Sequence, residues 1–311
     1  MDLNMLLSSE FAIKKYFVGA AFVIGGGLTF AAAYNYASSQ CVLFNQLPNE
    51  ENKYETKKIL NEYMMFHYGD RETICKHVSA PLDGYDFPVR CAQLCVKHFD
   101  RSACSNDKCL EIGCAVGRST FELARTFKRA VGLDYSHAFL GTCEVLSKIK
   151  RLEYEAIVEG HLTTKHVAVI PTDIDTSRCS FMRGDACNLP STLGQFGCVL
   201  AANVICRLPD PTKFILHLKN IVAKGGICVI TSPYTFLTVF TSKDKWLGGF
   251  TDSNGKEVRA FDTIKSYLLP DFELIDSEEM PYIIRETLRE HQWAVAHATV
   301  WKRRSSKYEQ E

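Results

Sequence analysis

The fold class is set by residues 108–117, which read KCLEIGCAVG. The first half of this stretch is mainly apolar and predicts a buried strand from Lys108 to Ile112. Gly113 and Gly117 then predict a tight loop in which a ligand can approach the backbone closely. A helical pattern follows at residues 119–126. A strand, a glycine loop and a helix in this order are typical of α/β proteins that bind a nucleotide-like ligand at the loop.

Strands and helices alternate along the chain on both sides of this loop. The predicted strands are residues 108–112, 130–133, 180–183, 197–202, 227–231, 272–275 and 294–301. The predicted helices are residues 50–68, 89–99, 119–126, 139–148, 211–222 and 261–269, and Gly225-Gly226 predicts a turn. The alternation predicts an α/β fold, namely a Rossmann-like, seven-strand, mostly parallel sheet with helices on both faces.

Acidic residues stand at the ends of the first three predicted strands. Asp134 ends the second strand, where a carboxylate can accept hydrogen bonds from both hydroxyls of a ribose. Gly184-Asp185 ends the third strand, and Glu111 precedes Gly113 by two residues. The loop has the pattern GxAxG, whereas a nicotinamide oxidoreductase, the rival enzyme class, would normally carry GxGxxG. Glu111 would repel a pyrophosphate but suits a ligand with a positive amino group and a sulfonium.

These motifs resemble the S-adenosylmethionine-dependent methyltransferases of the seven-strand class. The resemblance implies that the loop after the first strand holds the methionine moiety of the cofactor. It also implies that the acid after the second strand holds the ribose and that the residues after the third strand lie near the adenine. The residues carried over in this way are Glu111, Gly113, Ala115, Gly117, Asp134, Asp185 and Ala186.

A narrower resemblance covers residues 50–303. It rests on YMMFHYG (63–69), FPVRC (87–91), GCAVGR (113–118), GDACNL (184–189), AAN (201–203), TSPYT (231–235), KWLGG (245–249), IRET (284–287) and TVW (299–301). Together these runs resemble the C-terminal methyltransferase domain of the ovothiol biosynthesis enzyme, which methylates an imidazole nitrogen of 5-thiohistidine. The chain departs from that pattern at Cys206 and Phe236, where an acid and a tryptophan are expected.

The resemblance implies methyl transfer to a nitrogen of an imidazole, in a small thiohistidine or histidine or in a histidine-containing peptide. Such a nitrogen needs alignment and the correct tautomer rather than a strong base. Asn203 and Tyr234 stand at the ends of the fourth and fifth strands, and Arg207 can pair with a carboxylate of the acceptor. Tyr63, His67 and Tyr68 can close the cofactor pocket from the N-terminal helix. Trp246 and the glycines after it suggest a lid.

A different class of function stays open beside the enzyme. The chain can instead be a non-catalytic binding module that keeps the cofactor fold in order to organise a membrane complex. The departures at Cys206 and Phe236 favour this alternative, and the complete set of cofactor-type residues speaks against it. No metal site is predicted, because no CxxC occurs and the cysteine spacings fit no zinc pattern.

The N-terminal region differs from the rest of the chain. Residues 16–49 contain no charged side chain, and the densest apolar part, residues 16–34, is long enough to cross a bilayer. We therefore expect an apolar anchor and linker over residues 1–49 and a methyltransferase domain over residues 50–311. A cleaved signal peptide, with a cleavage region at residues 31–33, and a buried or peripheral helix are the alternatives.

Composition limits the remaining choices. The 36 basic and 36 acidic side chains give no net charge, which argues against a nucleic-acid binder. The 13 cysteines predict small buried side chains in a reducing compartment, and hence a cytosolic catalytic domain. Lys14 and Lys15 would instead keep the N-terminus cytosolic and send the domain across the membrane, so a lumenal or secreted location stays open.

Overall fold

The computed structural model describes residues 53–76 and 82–305. The predicted anchor at residues 16–34 and the predicted domain boundary at residues 49–50 lie outside these described ranges. Within them, no helix combines the length and the apolar character that crossing a membrane requires.

A seven-stranded sheet forms the centre of the fold, in the order β10-β11-β7-β6-β1-β2-β5. Five neighbouring strands run parallel, and β11 lies antiparallel between β7 and β10. The prediction of a mostly parallel seven-strand sheet is thus confirmed. The strands are β1 (Lys108–Ile112), β2 (Arg129–Asp134), β5 (Cys179–Arg183), β6 (Phe196–Ala202), β7 (Val222–Ser232), β10 (Phe272–Arg285) and β11 (His291–Arg303).

Helices cover both faces of the sheet. The central strands β1 and β6 are buried on both faces, which explains why their sequences are apolar almost throughout. The helices are α1 (Lys57–Tyr68), α2 (Arg71–Ile74), α3 (Phe87–His98), α4 (Arg118–Leu123), α5 (His137–Ile149), α6 (Pro211–Ile221) and α7 (Ala260–Leu268). One core cluster joins α1, α3 and α5 to the sheet, and the other joins α6 and α7 to its opposite face.

Local sequence fixes where several of these helices begin. The hydroxyl of Ser136 accepts the backbone N–H of Phe139 at the start of α5. The carboxylate of Asp210 caps α6, whose first residue is Pro211. Both are preferred N-terminal residue types, because they satisfy free N–H groups or carry none.

The predicted turn at Gly225-Gly226 is wrong, because both glycines lie inside β7. A Cβ at Gly225, where φ is +74°, would lie 2.1 Å from the carbonyl oxygen of Ala103. Glycine is therefore needed at this position for the close approach of another backbone segment.

Two small antiparallel pairs were not predicted. The strands β3 (Arg151–Glu159) and β4 (Leu162–Val169) form a hairpin after α5, and β8 (Phe250–Thr251) pairs with β9 (Glu257–Val258). The twelve cysteines in the described ranges are all unpaired.

Candidate active site

A cavity of about 820 Å³ opens at the carboxyl ends of the parallel strands. This is the edge at which open α/β sheets bind ligands, and the volume suits a cofactor together with a small acceptor. The predicted site residues that line the cavity are Tyr63, His67, Glu111, Gly113, Ala115, Asp134, Asp185, Ala186, Asn203 and Arg207. Gly117, Tyr68 and Tyr234 are not among its lining residues.

The glycine loop after β1 is held in a left-handed backbone conformation. The φ angles of Gly113, Ala115 and Gly117 are +71°, +46° and +83°. A Cβ at Gly113 would lie 2.3 Å from a methyl carbon of Val204, so no larger residue fits there without a shift. Ala115 is a non-glycine residue in this sparsely populated region, a form of strain that concentrates at functional sites.

Asp134, at the end of β2, holds the loop and faces the cavity. One carboxylate oxygen accepts the backbone N–H of Ala115 at 2.9 Å, and the other accepts the N–H of Ser136 at 2.9 Å. Burial raises the pKa of Asp134, and these backbone hydrogen bonds oppose that shift. Each oxygen keeps lone pairs for a further donor, so the carboxylate can still bind two hydroxyl groups of a ligand.

Glu111 lies at the floor of the cavity and is only 2% exposed. Its carboxylate accepts a hydrogen bond from the hydroxyl of Thr120. Burial raises the pKa of Glu111 to about 7, although hydrogen bonds from Thr120 and Ser119 oppose the shift. The side chain therefore changes charge near neutral pH, beside the glycine loop.

Tyr68 and Gly117 support the loop from outside the cavity, in contrast to the direct cofactor contacts predicted for them. The hydroxyl of Tyr68 donates to the carbonyl of Val116 at 2.7 Å. A Cβ at Gly117 would lie 2.9 Å from the sulfur of Cys143, so this glycine allows α5 to pack closely against the loop.

One wall of the cavity is formed by α1, and we call it the α1 wall; its residues are Lys58, Ile59, Glu62, Tyr63, Phe66 and His67. His67 is 7% exposed, and its Nδ1 has no hydrogen-bond partner among the described residues. Burial, together with the nearby charge of Arg118, lowers the pKa of His67 to about 3. His67 is therefore a neutral imidazole at physiological pH.

Asn203 and Arg207 line the cavity after β6, as expected, but both are already engaged. Asn203 has a φ angle of +56°, and its side-chain oxygen accepts the hydroxyl of Thr231 at 3.0 Å. Arg207 donates to the carbonyl oxygens of Thr235 at 2.7 Å and Cys206 at 3.0 Å. Arg207 therefore keeps only part of its donor capacity for an acceptor carboxylate.

The placement of Tyr234 differs from the expectation. Its position after β7 is as predicted, but its hydroxyl is hydrogen-bonded to Nδ1 of His297 at 2.8 Å. This bond ties the ring to β11, and Tyr234 is not among the residues that line the cavity.

Trp246, the predicted lid residue, is also not among the residues that line the cavity. Its indole N–H donates to the carbonyl of Thr241 at 2.8 Å.

Several lining residues were not identified from the sequence. They are Lys53 and Tyr54 before α1, Glu62 on α1, and Tyr282 and Glu286 from the β10–β11 hairpin. The run of residues 284–287 was the only sequence signal for the hairpin's part in the site.

Comparison with known proteins gives one family match. Residues 110–230, less than half of the chain, match the family described as "Methyltransferase domain". The matched segment contains the glycine loop, Asp134, Asp185, Asn203 and Arg207. Over these residues the chain is similar to methyltransferase domains. No curated protein matches the sequence significantly.

Solved structures with a similar fold share little sequence with the chain. The N-methyltransferase NodS from Bradyrhizobium japonicum, in complex with S-adenosylhomocysteine, is 16% identical, with 86% of this chain and 97% of that chain covered and a TM-score of 0.42. A second structure is the magnesium protoporphyrin IX methyltransferase ChlM from Synechocystis with bound S-adenosylmethionine. It is 14% identical, the match covers 82% of this chain and 100% of that chain, and the TM-score is 0.45.

The residues around the cavity fit S-adenosylmethionine, the cofactor that the sequence motifs predict. The backbone at Gly113 leaves open the space that a Cβ would occupy, and the carboxylate of Asp134 retains lone pairs toward the cavity. Glu111, when ionised, provides a negative charge for a cationic ligand. These three residues would hold the cofactor, with Asp185 and Ala186 farther along the same edge of the sheet.

Proposed function

We propose that the chain is an S-adenosylmethionine-dependent methyltransferase that transfers a methyl group to an imidazole nitrogen of a small acceptor, either a thiohistidine or a histidine. The observation that carries the proposal is the continuity of the cavity. It extends from the glycine loop and Asp134 to the α1 wall and the β10–β11 hairpin, so one space accommodates both cofactor and acceptor.

The main contribution of the chain to the reaction is to align the methyl group of the cofactor with the acceptor nitrogen. The cofactor supplies a methyl group on a sulfonium, and the nitrogen lone pair forms the new N–C bond while the electron pair of the broken S–C bond stays with sulfur. The proton of the methylated imidazolium then leaves to solvent. Correct orientation of the reacting groups can lower the barrier by about 7–11 kcal/mol in the best cases.

The polar residues of the cavity suit a small, charged acceptor. Glu62 and Glu286 can bind a positive group, and the remaining donor capacity of Arg207 can bind a carboxylate. Aromatic side chains of Tyr63 and Phe66 give a flat apolar wall against which an imidazole ring can pack.

An acceptor screen tests the proposal. The full chain is incubated with methyl-labelled S-adenosylmethionine and with 5-thiohistidine, histidine or a histidine-containing peptide, and the transfer of label is measured. We expect methylation of at least one small imidazole, and loss of that activity in Asp134→Ala. Cofactor binding without methylation of any of the three would refute the imidazole acceptor, and would favour the non-catalytic binding module.

We also propose that residues 16–34 anchor the chain to a membrane with the catalytic domain in the cytosol. The proposal rests on the uncharged apolar run and on the high cysteine count. Alkaline carbonate extraction of membranes from cells that express the full chain should leave it in the pellet. Protease added to sealed vesicles should digest the catalytic domain. Release by carbonate, or protection from protease, would refute the anchor or the orientation respectively.

A further inference from the structure

Two side chains that follow β6 keep hydrogen-bond donors free at the cavity. Asn203 and Arg207 both line it, and the hydrogen bonds that hold each side chain use only some of its polar atoms. No described residue accepts a hydrogen bond from Nδ2 of Asn203 or from Nε of Arg207. Neither nitrogen is one of the fully buried atoms that lack a partner, so both keep accessible surface. Free donors at the surface of a cavity indicate a ligand that supplies acceptor atoms.

A reciprocal pair of hydrogen bonds determines which end of the Asn203 amide is free. The backbone N–H of Asn203 donates to the hydroxyl oxygen of Thr231 at 3.0 Å, and that hydroxyl donates in turn to Oδ1 of Asn203 at 3.0 Å. Thr231 is fully buried, so water does not compete for these bonds. Asparagine is also among the few residue types that adopt a left-handed φ, here +56°. The amide therefore offers its NH2 group, which has two donors and no acceptor, to a ligand.

Arg207 offers one edge of its guanidinium group. Nη1 donates to the carbonyl oxygens of Cys206 and Thr235, and both Nη1 and Nη2 lie 3.4 Å from the hydroxyl of Thr235. These contacts occupy the end of the group that Nη1 and Nη2 form together. The side edge, formed by Nε–H and the second N–H of Nη2, has no acceptor in the part of the chain that the structure describes. Two parallel N–H donors on one edge match the two oxygens of a carboxylate.

A second cation lies beside this edge. The ammonium nitrogen of Lys53, another lining residue, is 4.4 Å from the ring centroid of Phe240, and the guanidinium carbon of Arg207 is 5.1 Å from the same centroid. Burial and the charge of Arg207 lower the pKa of Lys53. Neither cation forms an ion pair with an acid of residues 53–76 or 82–305. An anion bound near both would relieve their repulsion.

We propose that Arg207, Asn203 and Lys53 form a carboxylate site that holds the acid group of the acceptor. The side edge of Arg207 binds both carboxylate oxygens, the NH2 group of Asn203 donates to one of them, and Lys53 adds a second positive charge. The acceptor is then a free or C-terminal histidine-type amino acid, since the carbonyl of an internal histidine in a peptide is uncharged. This inference rests on the proposed imidazole methyltransferase function and adds to it the residues that select an acceptor with a free carboxylate.

The test compares two acceptors that differ only in this group, histidine and histidinamide, with the full chain and S-adenosylmethionine. The wild-type chain should prefer histidine at least tenfold in kcat/KM. Arg207→Gln should lower kcat/KM for histidine by about 10- to 100-fold, mainly through KM, because the charge-assisted pair of hydrogen bonds is lost, and should remove most of the preference. Arg259→Gln, an exposed arginine outside the cavity, is the matched control and should keep the preference. Equal use of both acceptors by the wild-type chain would overturn the inference.

Asn203→Asp tests the site through its charge with almost no change of shape. Aspartate also tolerates a left-handed φ, and it keeps an oxygen that accepts the hydroxyl of Thr231. The new carboxylate repels that of histidine, so KM for histidine should rise at least about tenfold while KM for histidinamide rises less. Lys53→Gln should raise KM for histidine only about two- to fivefold, because Lys53 is exposed. An equal effect of Asn203→Asp on both acceptors would contradict the site.

The methionine end of the cofactor also carries a carboxylate, and calorimetry separates the two sources. S-adenosylhomocysteine and 5′-methylthioadenosine, which lacks the amino-acid part, are titrated into the wild-type chain and Arg207→Gln. We expect the variant to bind each of them within about twofold of the wild type. Weakened binding of S-adenosylhomocysteine alone would assign the carboxylate site to the cofactor and overturn the inference.

A second titration separates this inference from the proposed function. The chain saturated with S-adenosylhomocysteine is titrated with two probe pairs, histidine with histidinamide and phenylalanine with phenylalaninamide. If no imidazole is methylated but the acid of a pair binds more tightly than its amide, and Arg207→Gln removes that preference, the carboxylate site stands and the imidazole acceptor is wrong. If neither acid is preferred, the carboxylate site is wrong whatever the acceptor.

Discussion

The protonation of Glu111 should control the affinity for the cofactor. Glu111 is buried beside the glycine loop, and its pKa is raised from 4.5 to about 7. The cofactor is cationic at its sulfonium and amino group, so it should bind best when Glu111 is ionised. Binding below pH 7 must then release the proton of Glu111, and the affinity should rise as the pH rises.

The size of the effect follows from the pKa. At pH 6, one unit below about 7, roughly one tenth of the Glu111 side chains are ionised, so the affinity should be about tenfold weaker than at pH 8, or about 1.4 kcal/mol. The raised pKa of Glu111 also makes the free energy of unfolding depend on pH. A carboxyl whose pKa is higher in the folded chain stabilises the fold below pH about 4.5, and this contribution, about 3 kcal/mol, is lost as the pH rises through about 7.

Isothermal calorimetry with S-adenosylmethionine at half-unit steps between pH 5.5 and 8 measures the effect. Proton release is read from the dependence of the binding enthalpy on the buffer. Glu111→Gln, which keeps the shape and removes the titration, should give weaker binding with little pH dependence. A pH-independent Kd for the wild-type chain would refute the assignment of Glu111 to the cationic end of the cofactor, as would the same pH profile in both proteins.

Three further substitutions test the support of the site. Gly113→Ala places a Cβ 2.3 Å from Val204 at a φ of +71°, and should weaken cofactor binding at least tenfold and lower the unfolding free energy by about 1–3 kcal/mol in urea titrations. Arg285→Met removes donors from three backbone carbonyls at a side chain only 4% exposed, and should lower the unfolding free energy by about 2–4 kcal/mol. Tyr68→Phe removes the hydrogen bond to Val116, and should weaken cofactor binding several-fold in calorimetry while the unfolding free energy falls by about 1 kcal/mol. Unchanged values in any of these variants would contradict the role given to that residue.

Features that depend only on residues adjacent in the sequence could be predicted from the sequence. The strand β1, its glycine loop and the acid that ends β2 form one local unit, and the apolar run and the glycines define it. The buried strands of the sheet were recognisable for the same reason, since a strand covered on both faces needs apolar side chains throughout.

The hairpin of β3 and β4 could not be recognised in this way. Along β4 most side chains are exposed or half-buried, and residues 163–166 read TTKH, so apolar residues occur only at the two ends of the strand. The second half of β10 was missed for a similar reason, because residues 277–279 are exposed on the sheet and polar in sequence. Strands of this kind are specified by pairing with their neighbours, which a single sequence does not display.

The acceptor side of the cavity depends on contacts between distant parts of the chain. Glu62 and Glu286 are more than 200 residues apart, and only the packing of α1 against β10 brings them to one cavity. Tyr234 shows the opposite case. Its position at a strand end suggested a site residue, but its hydrogen bond to His297 directs the side chain elsewhere.

The most direct test of the central claim is calorimetry of S-adenosylmethionine with the wild-type chain and with Asp134→Ala. Asp134 both holds the loop at Ala115 and offers its free lone pairs to the cavity, so its removal should weaken binding by at least about tenfold. Circular dichroism should show that the variant remains folded. We predict saturable binding of one cofactor per chain by the wild type, and binding at least about tenfold weaker in the variant. The absence of binding by the wild-type chain would contradict the account.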